Sequence, residues 1–400
     1  MKPHARYGIL ALVTFAQAGA SFVQQGFGSL GPFLTSEFAL SRAQFGLMFG
    51  VLVGGAALAT AASGIAVDAY GERRMILFSG LLMGGAIAAG ALVHSYAWLI
   101  ACMVVAGFGY AGATPAGGRA ILAWFTRDRG LAMGIRQMGV PIGGFFGALL
   151  LPLLANGGGY RLALVVAGIV TALPSVAAAL WYREPEGTAL SSRKLRHLLQ
   201  TMWEVARDPR VIYVMLTSMV LVSSQANMLT FLVLTLVRDT HLAIAVAGGA
   251  LALAQIGASA GRLAWGYLSD TVFAGDRIVP LMYSCLLAAL SAAAIAFIPD
   301  HSIAFALGVA FVLGVSASGW NGLFSAAEVE IGGPERAGSA LGVALTGVFT
   351  ASLVSPPLFG ALADAHGFAI AWNAQAAFVL VGLAPAFLAK RAIDAAKVAA

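Results

Sequence analysis

Gly64-Ile-Ala-Val-Asp68-Ala-Tyr-Gly71-Glu72-Arg73-Arg74 follows one long apolar run, and Gly266-Tyr-Leu-Ser-Asp270, continued by Gly275-Asp-Arg277, follows another. Glycine precedes aspartate by four residues in both stretches, which lie half a chain apart. The chain therefore reads as two related halves, each with a charged turn at a membrane surface.

Outward from these turns the sequence is strongly apolar. Hydrophobic residues make up 60% of 400 positions and charged residues 10%, with a mean hydropathy of +0.88. So few charges cannot cover a water-soluble domain. The apolar runs reach about 20 residues or more, enough to cross roughly 30 Å of hydrocarbon at 1.5 Å per residue. The expected fold is an all-α membrane protein of twelve transmembrane helices in two six-helix bundles. The spans are placed at 8–31, 44–67, 75–93, 97–123, 131–154, 161–181, 211–236, 242–266, 278–298, 303–326, 339–362 and 369–388. The long polar interruption from Arg183 to Arg210 divides the chain into an N-terminal bundle (1–182), a linker (183–210) and a C-terminal bundle (211–400).

With both termini in the cytoplasm, only Arg42, Arg161 and Arg238 remain on the outer side, and Arg136 falls within a span. This is the bias of the positive-inside rule. The net charge of +6 then records topology, since the cations are scattered over loops and form no stripe for nucleic acid. Residues 1–31 are too long and too rich in glutamine (Gln17, Gln24, Gln25) for a cleaved signal peptide. Compact loops and the lack of a targeting extension suggest a bacterial-type inner membrane.

Cys102 and Cys285 fall within spans and form no metal pattern, and the six histidines lie in tails, loops or helix ends. No cofactor and no metal site is expected. All 17 carboxylates map to loops or to the last turn of a span, including Glu328, which leaves no buried acid as a proton carrier and no paired-carboxylate active site. With no nucleophile–base constellation and no GxxxxGK[ST] phosphate loop, the chain reads as a non-enzyme driven by gradients.

The doubled turn resembles the G-x-x-x-D-R-x-G-R-R motif of the major facilitator superfamily, with Ala69 and Glu72 replacing two arginines and two extra residues before Gly275. The resemblance covers essentially the whole chain. It implies two six-helix bundles that rock about a central site. It also implies gating roles for Gly64, Asp68, Gly71, Arg73 and Arg74 in the first copy and Gly266, Asp270 and Arg277 in the second, with the acids pairing with the basic residues. Ordinary interfacial charge pairs, worth about 0–1 kcal/mol each, are the bland alternative.

Gly134-Ile-Arg136-Gln137-Met-Gly139-Val-Pro141-Ile-Gly143-Gly144 opens the fifth span. Glycines at 139, 143 and 147 share a helix face that another helix can approach closely. The segment is loosely similar to a fifth-helix motif of facilitator antiporters, and a packing stripe accounts for it nearly as well. Arg136 costs about 2.5–3.5 kcal/mol on insertion scales unless compensated; it either serves a cavity or snorkels to the surface. Arg262, one turn before the second charged turn, is similar to the substrate-binding arginine of the monocarboxylate and oxalate–formate branches, and a guanidinium fork matches a carboxylate. Departures from those branches are the absence of lysine from every span and Ala258 in place of an aspartate.

The remaining candidate cavity residues are Gln24, Gln25, Gln225, Asn227 and Asn321, since amides in hydrocarbon need a partner or a wet cavity. Two arginines without a carboxylate suit an anion. The sequence thus reads as a monomeric secondary transporter of a small organic anion, in the first place a carboxylate, with a co-transported proton or counter-ion considered as a further partner. The alternative is an efflux facilitator for neutral or amphipathic compounds, with both arginines structural.

Overall fold

The computed structural model describes residues 3–92, 94–125, 128–182 and 201–399. Part of the expected linker, 183–200, lies outside the described residues, while 201–205 is helical. Among the described residues there is no strand, in keeping with the requirement that a lipid-exposed backbone satisfy its own polar groups within each segment.

Eleven helical stretches of the described chain are long and apolar enough to cross a membrane. One of them, Arg129–Trp181, has 53 residues, about 80 Å of helix and far more than one bilayer needs. Gly158 and Gly159 break it: Gly159 has φ 75°, a left-handed value that glycine adopts without strain. Two spans result, and the expected twelve are present. We label them α1 (Arg6–Glu37), α2 (Arg42–Tyr70), α3 (Glu72–Leu92), α4 (Tyr96–Trp124), α5 (129–158), α6 (160–181), α7 (Pro209–Arg238), α8 (Ile244–Thr271), α9 (Ile278–Ile295), α10 (Ile303–Gly333), α11 (Arg336–His366) and α12 (Phe368–Ala396). Most of the helices run a few residues beyond the expected spans, whereas α9 ends at Ile295, short of the expected 298.

Local chemistry sets the boundaries. Ser41 and Gln44 form a reciprocal capping box at the start of α2, and Gly71 at φ 82° ends that helix so that α3 can begin at once. In α1 the helix tightens to a 3₁₀ turn at Phe27–Leu30.

The chain divides into two compact units. The first comprises residues 1–191 with 229–237 and 243–252; the second comprises 192–228, 238–242 and 253–400. In the first unit, α5 lies against α1 through its glycine stripe: a Cβ at Gly143 would sit 2.1 Å from the Ala18 carbonyl oxygen, and one at Gly147 would sit 2.0 Å from that of Phe22. Gly55 of α2 and Gly107 of α4 meet in the same unit, where added Cβ atoms would strike the carbonyl oxygens of Val104 and Leu52. The second unit repeats this crossing. Gly257 of α8 and Gly314 of α10 lie against the carbonyl oxygens of Phe311 and Ala254, so the internal repeat extends from the charged turns into the helix crossings. Between Gly314 and Ser318, α10 widens into a π turn.

Two acids depart from expectation. Glu72 opens α3 yet is only 1% exposed, and Glu328 lies within α10 fully buried at 0%. Position relative to the end of an apolar run indicated surface; the neighbouring helices extend past that end and cover both side chains.

Candidate functional site

Arg136 is 1% exposed, so it does not snorkel. Its Nη2 donates to Gln17 Oε1 of α1 at 2.8 Å and to the carbonyl oxygens of Ala113 and Thr114 of α4 at 3.1 Å each. Pro115 follows these carbonyls inside α4, and a proline loosens the helical hydrogen bonding around it. Gly117 supplies the space: a Cβ there would lie 2.5 Å from Arg136 Nε. Nε has no hydrogen-bond partner, and the groups that accept from Nη2 are neutral. The first unit therefore holds a buried cation with no carboxylate bound to it among the described residues. Gln24 and Gln25 are buried farther along α1, and Gln25 Nε2 donates to Gln24 Oε1 at 2.6 Å.

In the second unit the π turn of α10 directs the polar residues. Ser284 Oγ donates to the Ser316 carbonyl at 2.8 Å and Trp265 Nε1 to that of Val315 at 2.9 Å, using acceptors that the widened turn frees. Trp320, fully buried, follows the turn. Asn321 Nδ2 donates to the Ser318 carbonyl at 3.1 Å and to Gln225 Oε1 of α7 at 3.4 Å, so two of the sequence candidates are brought together. Asn227 turns the other way: its Nδ2 donates to Ser355 Oγ of α11 and Gln375 Oε1 of α12, and Gln375 Nε2 donates to Ser223 Oγ. This network ties three helices together. Arg262 is partly buried on α8.

The charged turns differ between the units. In the second, Arg277 Nη1 reaches Asp270 Oδ1 at 2.5 Å and its Nε reaches Glu330 Oε1 of α10 at 3.0 Å. In the first, the side chain of Asp68 lies outside the described residues. Arg73 Nε donates to the Ala179 carbonyl of α6, and Arg74 is exposed. Glu72 forms an ion pair at this turn with Arg119 Nε of α4 at 2.7 Å. Glu72 stands where the motif has an arginine, and Arg119 answers it from α4, just as Glu330 answers Arg277 from α10. Sequence reasoning missed this charge reversal; the acid at a basic motif position was its signal. Gly64 and Gly266 have open space where a Cβ would go.

Beside the second turn, Lys390 Nζ of α12 bonds Asp276 Oδ2 at 2.9 Å and Asp394 at 2.6 Å. Asp276 Oδ1 also accepts from the backbone N–H groups of Ile278 and Val279. Burial alone would raise this carboxyl, but Lys390 and the two N–H groups hold it below the ordinary carboxylate value. Asp276 and Lys390 line a pocket of about 270 Å³ with Arg210, Arg277 and Glu330.

Comparison with known proteins adds the family. An uncharacterized MFS-type transporter of Mycobacterium tuberculosis (strain CDC 1551) is 28% identical over 381 residues, 95% of this chain and 84% of that one. A protein of Cupriavidus necator described as a probable sulfoacetate transporter is 27% identical over 141 residues, 35% of this chain and 33% of its own. A fujikurins efflux protein of Gibberella fujikuroi is 22% identical over 300 residues, 75% of this chain and 63% of its own. The structure of a bacterial homolog of the human lysosomal transporter Spinster superposes with a TM-score of 0.83 at 19% identity, covering 98% of each chain. Residues 11–356 match the model of the Major Facilitator Superfamily, and with the doubled turn and twelve helices this chain belongs to that family of membrane transporters.

Proposed function

We propose that the chain is a secondary transporter that moves a small organic anion by alternating access, with a carboxylate as the first substrate class to try. The observation that carries this reading is Arg136, buried at 1% and held by neutral acceptors with Nε unpartnered. A desolvated guanidinium without a counter-charge is costly, and an incoming anion relieves that cost. Arg262 supplies a second cation in the other half. The sulfoacetate description of one relative supports an anionic substrate. In this reading the bundles are 1–182 and 211–400, joined by 183–210; the charged turns act as gates; and both termini face the cytoplasm of a bacterial-type inner membrane, with the monomer as the working unit.

The relative named for fujikurin efflux favours the second reading, export of neutral or amphipathic compounds, in which Arg136 and Arg262 hold structure only. A thermal-shift screen of purified protein against sulfoacetate, lactate, succinate, a neutral sugar and a lipophilic cation separates the two. A ligand at 100 times its Kd stabilises by about 2.7 kcal/mol. Shifts confined to the anions and lost in Arg136→Gln or Arg262→Gln support anion transport. Shifts confined to the sugar or the lipophilic cation and unchanged in both variants overturn it.

A further inference from the structure

A second cavity, of about 320 Å³, lies in the first unit between the start of α3 and the end of α6. Arg73, Arg74 and Leu77 line it from α3, and Val176, Ala179 and Leu180 from α6. Spacings of three and four residues put each of these sets on one helix face. Farther from the turn, small residues draw the two helices together: a Cβ at Gly84 would lie 2.5 Å from the Gly168 carbonyl oxygen, and one at Gly80 would strike Ser175. Beside the cavity the contact is made by a long side chain, with Arg73 Nε donating to the Ala179 carbonyl.

The lining carries two arginines and no acid among the described residues. Glu72, next to Arg73 in sequence, is buried and engaged by Arg119. Arg74 is exposed and makes no ion pair among the described residues. The second charged turn is the internal contrast. Arg277 follows Gly275 by two residues, as Arg73 follows Gly71, yet Asp270 and Glu330 pair with it and its cavity is lined by Asp276 and Glu330 as well. The cavity of the first unit therefore attracts an anion where that of the second is already neutralised.

The chemistry of the remaining walls selects the kind of anion. Leu77, Val176, Ala179 and Leu180 are apolar, and exposed Phe78 and Leu81 on α3 and Leu173 on α6 extend the apolar surface away from the turn. A free inorganic anion gains nothing from such walls, whereas an amphipathic one uses both parts. Guanidinium groups match phosphate oxygens in geometry and charge, and basic pockets between membrane helices take anionic headgroups. Exposed Trp181, next to Leu180, is the residue type that settles at headgroup level.

We propose that this cavity binds the headgroup of one anionic phospholipid from the leaflet on the side of the charged turns. The phosphodiester lies on Arg74 and Arg73, and the acyl chains run along the exposed apolar residues of α3 and α6. The lipid joins α3 to α6 beside the hydrogen bond from Arg73 to Ala179. This site is independent of the substrate and of the direction of transport.

Native mass spectrometry of the full chain, released from detergent with equimolar phosphatidylglycerol and phosphatidylethanolamine, tests the assignment. Wild type should retain one phosphatidylglycerol in preference to phosphatidylethanolamine. The preference should fall about fivefold in Arg74→Gln, as expected for one basic contact to an anionic lipid, and persist in Arg74→Lys. Leu180→Glu, which sets an acid in the lining from the opposite helix, should lower it as well. Arg391→Gln, at an exposed arginine of α12 away from this cavity, should leave it unchanged. Both lining substitutions are at exposed positions, and circular dichroism should show wild-type helix content. An Arg74→Gln protein that keeps the preference overturns the proposal, and so does an equal loss in Arg391→Gln, which marks general surface charge. A Leu180→Glu protein that keeps it puts the lipid outside the cavity and overturns the site. Displacement of phosphatidylglycerol by inorganic phosphate at equal concentration marks a free-anion site and overturns the lipid.

Discussion

A single missing side chain makes room for the buried cation of the first unit. Because a Cβ at 117 would lie 2.5 Å from Arg136 Nε, Gly117→Ala should displace a guanidinium that has no exposed direction to retreat into. Overpacking of this kind costs about 1–3 kcal/mol. Gly118 is the control, since a Cβ there meets only Met133 Cε at 3.7 Å, and Gly→Ala within a helix gains up to about 1 kcal/mol. Thermal unfolding should show a lower midpoint for Gly117→Ala and an equal or higher one for Gly118→Ala. A stable Gly117→Ala protein would mean that Arg136 is not held where it stands. Asp276 gives a second prediction, through pH. Its carboxyl lies below the ordinary value in the fold, so its contribution is fully present above the unfolded-state value and is lost as pH falls through the depressed one. Asp276→Asn should lower stability near neutrality and flatten the acid side of the stability profile; an unchanged acid limb would show that Lys390 does not hold it.

At the scale of elements, the crossings of α2 with α4 and of α8 with α10 are the same device used twice. In each, glycines bring backbone against carbonyl oxygen, a contact that a side chain cannot yield to because the opposing atom is main chain. An added Cβ meets the Val104 oxygen at 2.6 Å from Gly55 and the Phe311 oxygen at 2.2 Å from Gly257. Gly55→Ala and Gly257→Ala should each destabilise by about 2–3 kcal/mol, while Gly249→Ala, with nothing within 4 Å, should not. Equal midpoints for all three would remove the crossing argument. Such crossings were only partly legible in the sequence. The stripe at Gly139, Gly143 and Gly147 was visible because its spacing is local, and the structure sets it against α1. Gly55 has no glycine four residues away, and Gly257, four before Gly261, acquires meaning only when the partner helix is placed. The same limit hid Glu72 and Glu328. Distance along the chain from the end of an apolar run places an acid near the surface, and only the neighbours' extra turns bury it.

For the whole molecule, the features that set the fold are additive along the chain. Twelve apolar runs and two copies of one turn are enough for span number and family, because a bilayer admits few solutions for a backbone that must satisfy its own polar groups. Pairing between spans is not additive, so the partners of Arg136 and the reversed ion pair of Glu72 with Arg119 became readable only in three dimensions. Orientation is again a property of the sum. Lys and Arg concentrate in the loops on the side of Arg73, Arg74 and Arg277, leaving Arg42, Arg161 and Arg238 opposite, and the positive-inside rule therefore predicts that both termini face the cytoplasm. Green fluorescent protein fused after Ala400 should fluoresce. Alkaline phosphatase fused within the turn at Thr240, after seven spans, should be active, and the same enzyme fused within the turn at Gly275, after eight, should be inactive. The opposite pattern would invert the protein and put the paired acids and arginines of both charged turns on the outer face.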